Sequence, residues 1–231
     1  MSAASTPLPP LAQFLLNDTH RLVAAVHPVT GILDVLVESS DLDAVVELEQ
    51  WTDDRITNEL GILLRLPRSD WVTGVPWAHV IMSAFTHPAL AGARFNDSSR
   101  GAWYTTGDLD TAHAESIHHR RELLAEIGAF ETVMRVRCWL ADFGGDFHDL
   151  TAPRADFAPY YDPQSYEASQ RLARELLGVG SRALVYRSVR RGEGRCIACF
   201  EPRAVDNVRP GGVYEYLWSG PAHPRVRQVA S

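Results

Sequence analysis

The sequence predicts an α+β fold of mixed small sheets with flanking helices, and three observations carry that expectation. Strand-like and helix-like segments follow one another irregularly rather than in a clean βαβ alternation. Neither a Gly-x-Gly-x-x-Gly after a strand nor a Gly-x-x-x-x-Gly-Lys occurs, which removes the Rossmann fingerprint and the P-loop. No repeat, heptad array or composition shift divides the chain, so its 231 residues read as a loose leader over 1–18 and a single domain over 19–231.

Taken in order, the leader is rich in Ser, Ala and Pro and enters the fold near Asp18-Thr19-His20-Arg21, before the apolar run from Leu22 to Val26. Leu42, Val45, Val46, Leu48, Ile56, Leu60, Leu63 and Leu64 have helical spacing and predict two helices over 41–66, broken near Trp51–Asp54. Ala93–Asn96 and Ala102–Thr106 read as strands around the turn-forming Asp97–Gly101, as in a hairpin. Asp108 and Asp110 are N-cap candidates for a helix from about Thr111 to Ile127, which Gly128 stops. A strand is expected over Glu131–Leu140, a turn at Gly144-Gly145 and a short strand at Asp149–Thr151. A helix over Gln164–Leu177, ended by Gly178, precedes strands at Ala183–Val189, Arg195–Phe200 and Val213–Trp218.

Composition narrows the function classes. A net charge of −7 leaves no broad basic face for nucleic acid or an anionic membrane, while single arginines can still serve a small anion. The N-terminus lacks the charged start of a secretory signal and no apolar run is long enough to span a bilayer, so a soluble, cytoplasmic protein is expected.

Cys138, Cys196 and Cys199 suit a reducing compartment. A strand spacing of three puts Cys196 and Cys199 on opposite faces, as buried structural residues rather than a metal or redox pair. His113, His118 and His119 are spaced by five, six and one, so no two lie one helical turn apart; they read as a solvated helix face, and no metal is expected. Arg187, Arg190, Arg191 and Arg195 form a basic cluster, either hairpin surface or a phosphate or partner contact.

One constellation carries chemistry. In Arg94-Phe95-Asn96 … Tyr104-Thr105-Thr106 … Thr111-Ala112-His113-Ala114-Glu115, an Arg and a Tyr stand ten residues apart with a Glu eleven further on. Leu184-Val185-Tyr186-Arg187-Ser188-Val189-Arg190 later supplies a strand-borne Ser. In this order the residues resemble the RES-domain family, named for its Arg, Glu and Ser, and the likeness runs from about Arg21 to Gly220. Ala93 stands where many members have Gly, and Phe95 where many have Trp.

The resemblance implies an ADP-ribosyltransferase-like fold with NAD, as substrate, in a cleft between two small sheets. It implies a toxin of a toxin–antitoxin pair that degrades NAD, and a helical, DNA-binding antitoxin as partner. Glu115 would face the ribose as it gains positive charge when nicotinamide leaves. Arg94 would bind an anionic part of NAD, Tyr104 would stack on nicotinamide or close over it, and Ser188 would position rather than attack. Arg21 is either a further NAD contact or a plain surface residue. Hydrolysis and phosphorolysis stay open, as do a mono-ADP-ribosyltransferase acting on a protein and a non-catalytic nucleotide-binding module.

Overall fold

A computed structural model of the chain describes residues 7–25, 62–63 and 66–229. Strands are β1 (Leu11–Ala24), β2 (Trp103–Thr106), β3 (Glu131–Asp149), β4 (Ala183–Arg187), β5 (Arg195–Cys199), β6 (Asp206–Ser219) and β7 (Arg225–Val229). Helices are α1 (Ala78–Thr86), α2 (Leu109–Ile127) and α3 (Glu167–Gly178). The α+β expectation holds, and the small sheets are joined into one seven-stranded sheet in the order β1-β2-β5-β4-β3-β6-β7.

An added β1–β3 pairing closes β1, β2, β5, β4 and β3 into a ring. Two links of this ring are short. β1 meets β2 only at His20↔Thr106, and the parallel β3–β4 ladder holds only His148↔Leu184 and Asp149↔Val185. Inside the ring, Trp103, Trp139, Phe143, Phe147, Val185, Ile197 and Cys199 pack with Ile81, Met82 and Phe85 of α1. Burying each large side chain of this kind contributes roughly 1.5–3 kcal/mol.

The outer face of β2, β5 and β4 carries Tyr186, Cys196 and Ala198 against Leu172, Ala173 and Leu176 of α3. Cys196 and Cys199 thus lie on opposite faces, both buried, as strand alternation requires. On the outer face of β3 and β6, Val136, Cys138, Tyr216 and Trp218 receive Ile117 and Leu124 of α2.

Several elements depart from the sequence reading. Residues 11–18, expected to be leader, form the first half of β1, because β3 extends far enough to pair with them. Gly144 and Gly145 do not turn: they stay within β3 opposite Leu15 and Phe14, so their backbone groups are used by the sheet. Ala93–Asn96 is no hairpin strand but a tight turn closed by Ala93 N–H to Asn96 O at 2.8 Å, and β2 pairs with β5 instead. β7 and α1 went unread. The two helices expected over 41–66 fall largely outside the described residues. Among the described residues, no helix is long and apolar enough to cross a membrane.

Candidate active site

Helix α2 supplies the carboxylate. Asp108 caps it, accepting from Thr111 N–H and from the Thr111 hydroxyl, each at 2.8 Å, while Gly128 ends it in the left-handed conformation. Burial works against the Asp108 carboxylate, but these bonds and the nearby Arg191 outweigh it and hold the carboxyl below its usual value. Glu115 follows in the second turn, on the side of α2 that faces the end of β4.

There the chain leaves β4 and loops to β5 through Ser188. The Ser188 hydroxyl donates to Glu115 Oε1 at 2.6 Å and accepts from the backbone N–H groups of Arg190 and Arg191 at 3.0 and 2.9 Å. Its one proton is therefore committed to the carboxylate. The loop is closed by Ser188 N–H to Gly194 O at 2.7 Å and pinned to α2 by Arg191, which reaches Asp108 and Thr111 at 3.0 Å. Gly194 permits this approach: a Cβ there would lie 2.4 Å from the Thr111 hydroxyl oxygen.

Tyr186, two residues before Ser188, lines the same region. It is buried, edge-on to Phe95 with centroids 4.7 Å apart, and burial, then Cys196 and Glu115, push its phenol well above the ordinary value. Arg94 also lies within its electrostatic reach. The thiol of Cys196 sits 3.9 Å from Glu115 Oε1 and is held protonated by burial.

Tyr104 projects from β2. Its hydroxyl donates to Asn96 Oδ1 at 2.8 Å and accepts from Phe95 N–H at 2.9 Å, which fixes the ring. Arg94, 8% exposed, donates to the carbonyls of Tyr160 and Asp162 at 3.2 and 2.8 Å and lies over the Tyr166 ring at 4.7 Å. Its turn is bolted to α3 by Gln170, which donates to Ala91 O and Ala93 O. Gly92, at φ +71, takes a conformation that side-chain-bearing residues avoid, and a Cβ there would strike Asn96 O at 2.2 Å.

Glu115 and Ser188 are thus in direct contact, and Tyr104 and Arg94 border the same outer face through Phe95, Asn96 and Tyr186. No hydrogen bond joins Arg94 to Glu115 or Ser188. Arg21 lies toward the ring interior, its guanidinium over Trp103 at 4.9 Å and donating to Tyr104 O at 3.1 Å in the gap where β1 and β2 part. It is partly buried: burial lowers its pKa to about 10, and no carboxylate pairs with it among the described residues.

His119 is exposed on α2, as a solvated face requires, but His113 is not. His113 Nδ1 lies 2.8 Å from the Tyr216 hydroxyl, with its ring edge-on to Tyr214, because position 113 turns toward β6. Of the basic cluster, Arg191 is the clamp described above, Arg187 stacks on Tyr161 at 5.2 Å and Arg190 donates to Pro163 O at 3.0 Å. Tyr166 and Tyr186 carried no role in the sequence reading, and Arg191 was read there without its clamp on α2. Tyr186 was findable, since residues two apart on a strand share a face.

Comparison with known proteins bears on this arrangement. A family model described as "RES domain" matches residues 62–219. The "Uncharacterized protein y4oC" of Sinorhizobium fredii (strain NBRC 101917 / NGR234) is 25% identical over 210 residues, covering 88% of this chain and 84% of that protein. Among solved structures, a chain of the "M.tuberculosis MbcT-MbcA toxin-antitoxin complex" shares the fold with a TM-score of 0.50 at 10% identity, over 90% of this chain and 87% of that one.

Proposed function

The chain belongs to the RES-domain family, and from that premise we propose that it is the toxin of a toxin–antitoxin pair and cleaves the nicotinamide–ribose bond of NAD. The observation that carries this reading is the 2.6 Å bond from Ser188 to Glu115, which orients a carboxylate beside Tyr186, with Tyr104 and Arg94 on the same face. The neighbour of like fold, solved as part of a toxin–antitoxin complex, agrees with it.

In this reading the bond between ribose C1′ and the pyridinium nitrogen breaks, and its electron pair leaves with nicotinamide, which becomes neutral. Positive charge grows on the ribose. Glu115 stabilises that charge, and Ser188, its lone pairs held by two backbone N–H groups, keeps the carboxylate aimed. An oxygen of water or phosphate then bonds to C1′; where water attacks, Glu115 takes its proton and passes it to solvent. Tyr104, its hydroxyl engaged, offers a fixed ring face for stacking rather than a closing lid. Arg94 on the outer face serves the anionic diphosphate, and Arg21 reaches it through the gap where β1 and β2 part; neither is paired with an acid among the described residues.

The test is incubation of the purified chain with NAD, with and without inorganic phosphate, followed by product identification. Nicotinamide should appear with ADP-ribose, or with ADP-ribose phosphate when phosphate is the acceptor. Adenylate label retained on a macromolecule would instead identify a mono-ADP-ribosyltransferase. Intact NAD throughout would remove the reading. The antitoxin is proposed as a separate protein that inhibits by covering this face; co-purification with a chain encoded beside it checks that.

A further inference from the structure

One titratable cluster lies outside the machinery above, on the next turn of α2. His118 Nε2 sits 2.9 Å from one carboxylate oxygen of Glu122, four residues on, and His119 Nδ1 sits 3.9 Å from the other. One donor atom from each of the three residues lies within 4.8 Å of the others. His118 has only 13% of its side chain exposed, and its Nε2 is buried without a hydrogen-bond partner although the carboxylate stands beside it. An ordinary helical His–Glu pair would use that nitrogen as a donor. A buried ring nitrogen and a carboxylate oxygen 2.9 Å apart, outside hydrogen-bond geometry, are instead placed as two donors toward a common cation.

We propose that His118, His119 and Glu122 bind a divalent d-block cation of the zinc class, with water completing its shell. Two ligands of one tetrahedral zinc stand about 3.4 Å apart, given metal–ligand distances of about 2.0–2.2 Å, so small rotamer changes of the exposed His119 and Glu122 close the set. Two imidazoles and one carboxylate select zinc, cobalt, nickel or copper over magnesium and calcium. The missing helical His–His pair is no obstacle, since Glu122 supplies the partner one turn beyond His118.

The surroundings give occupancy a consequence. His119 lies within the electrostatic reach of Glu115, Glu122, Arg190 and Arg120. A cation there adds positive charge one turn from Glu115, the carboxylate assigned to stabilise a ribosyl cation, so zinc should lower NAD turnover. That consequence rests on the proposed function; binding does not.

The experiment is calorimetric titration of the tag-free, chelator-treated full chain with zinc chloride, with cobalt spectra as a report on ligand type. One saturable equivalent is expected in the micromolar range, uncompeted by magnesium chloride. His119→Gln and Glu122→Gln, both at exposed positions that leave the melting temperature unchanged, should each weaken binding about tenfold or more. His118→Gln should do the same. Absence of saturable binding, or variants that bind as the parent does, overturns the site. If zinc binds and NAD turnover does not fall, the inhibitory consequence is overturned while the site stands. A chain that leaves NAD intact both with and without zinc refutes the NAD reading, and the titration still judges the site.

Discussion

Ser188 has one hydroxyl proton, and Glu115 holds it, so the two side chains can be separated by substitution. Glu115→Gln keeps size and removes charge: nicotinamide release should fall by at least about a hundredfold, as when a charge-stabilising group is lost, while circular dichroism and melting stay those of the parent. Ser188→Ala leaves the carboxylate without its donor and the Arg190 and Arg191 N–H groups without an acceptor. A fall in kcat of about tenfold with little change in KM is expected, with about 1.5–3 kcal/mol of stability lost, because hydrogen bonds to charged groups sit in that range. Arg21 gives the opposite signature. A guanidinium enclosed against Trp103 with no acid opposite it among the described residues costs the fold more than it returns, so Arg21→Met should melt no lower than the parent while KM for NAD rises at least about tenfold. A clear drop in melting temperature for Arg21→Met would show that the residue is structural instead.

At the scale of elements, the loop between β4 and β5 is held to α2 through a space with no room for a methyl group. Gly194→Ala must push Thr111 or the loop aside, costing about 1–3 kcal/mol, and should lower turnover by displacing Ser188 from Glu115; a variant with parental melting and activity would show the contact to be loose. The sequence was legible where local chemistry decides the outcome. Asp108 and Gly128 mark α2, Leu172, Ala173 and Leu176 mark the buried stripe of α3, and the apolar runs of β4 and β5 admit little but buried strands. It was illegible where distant pairing decides. β1 forms because β3 reaches Leu11↔His148, and Gly144-Gly145 stays extended for the same reason, against the turn tendency of two glycines. The short polar run of β7 carries no apolar alternation and is a strand only because β6 offers an edge. Within the site, the order of the motifs brought out Glu115 and Ser188, which the fold sets in contact, and strand periodicity could have added Tyr186, whereas the Arg191 clamp depends on chain segments meeting across the fold.

For the whole molecule, buried imidazoles set a pH limit. Burial, ahead of neighbouring charges, holds His20, His113 and His148 below the ordinary value of 6.5, so folding favours their neutral forms. The stability they contribute is complete above the unfolded value of 6.5 and is lost as pH falls through the lower folded values. Melting temperature should therefore drop between about pH 7.5 and about pH 5.5, before carboxylates such as Asp97 and Asp142 titrate; a level profile across that window would contradict it. The Ser188–Glu115 bond bears on biosynthesis as well. It joins positions 73 residues apart, and its loop is closed by Gly194 and pinned by Arg191. A chain emerging from the ribosome exposes Glu115 before the serine and its glycine follow, so the oriented carboxylate exists only once the loop between β4 and β5 has been made.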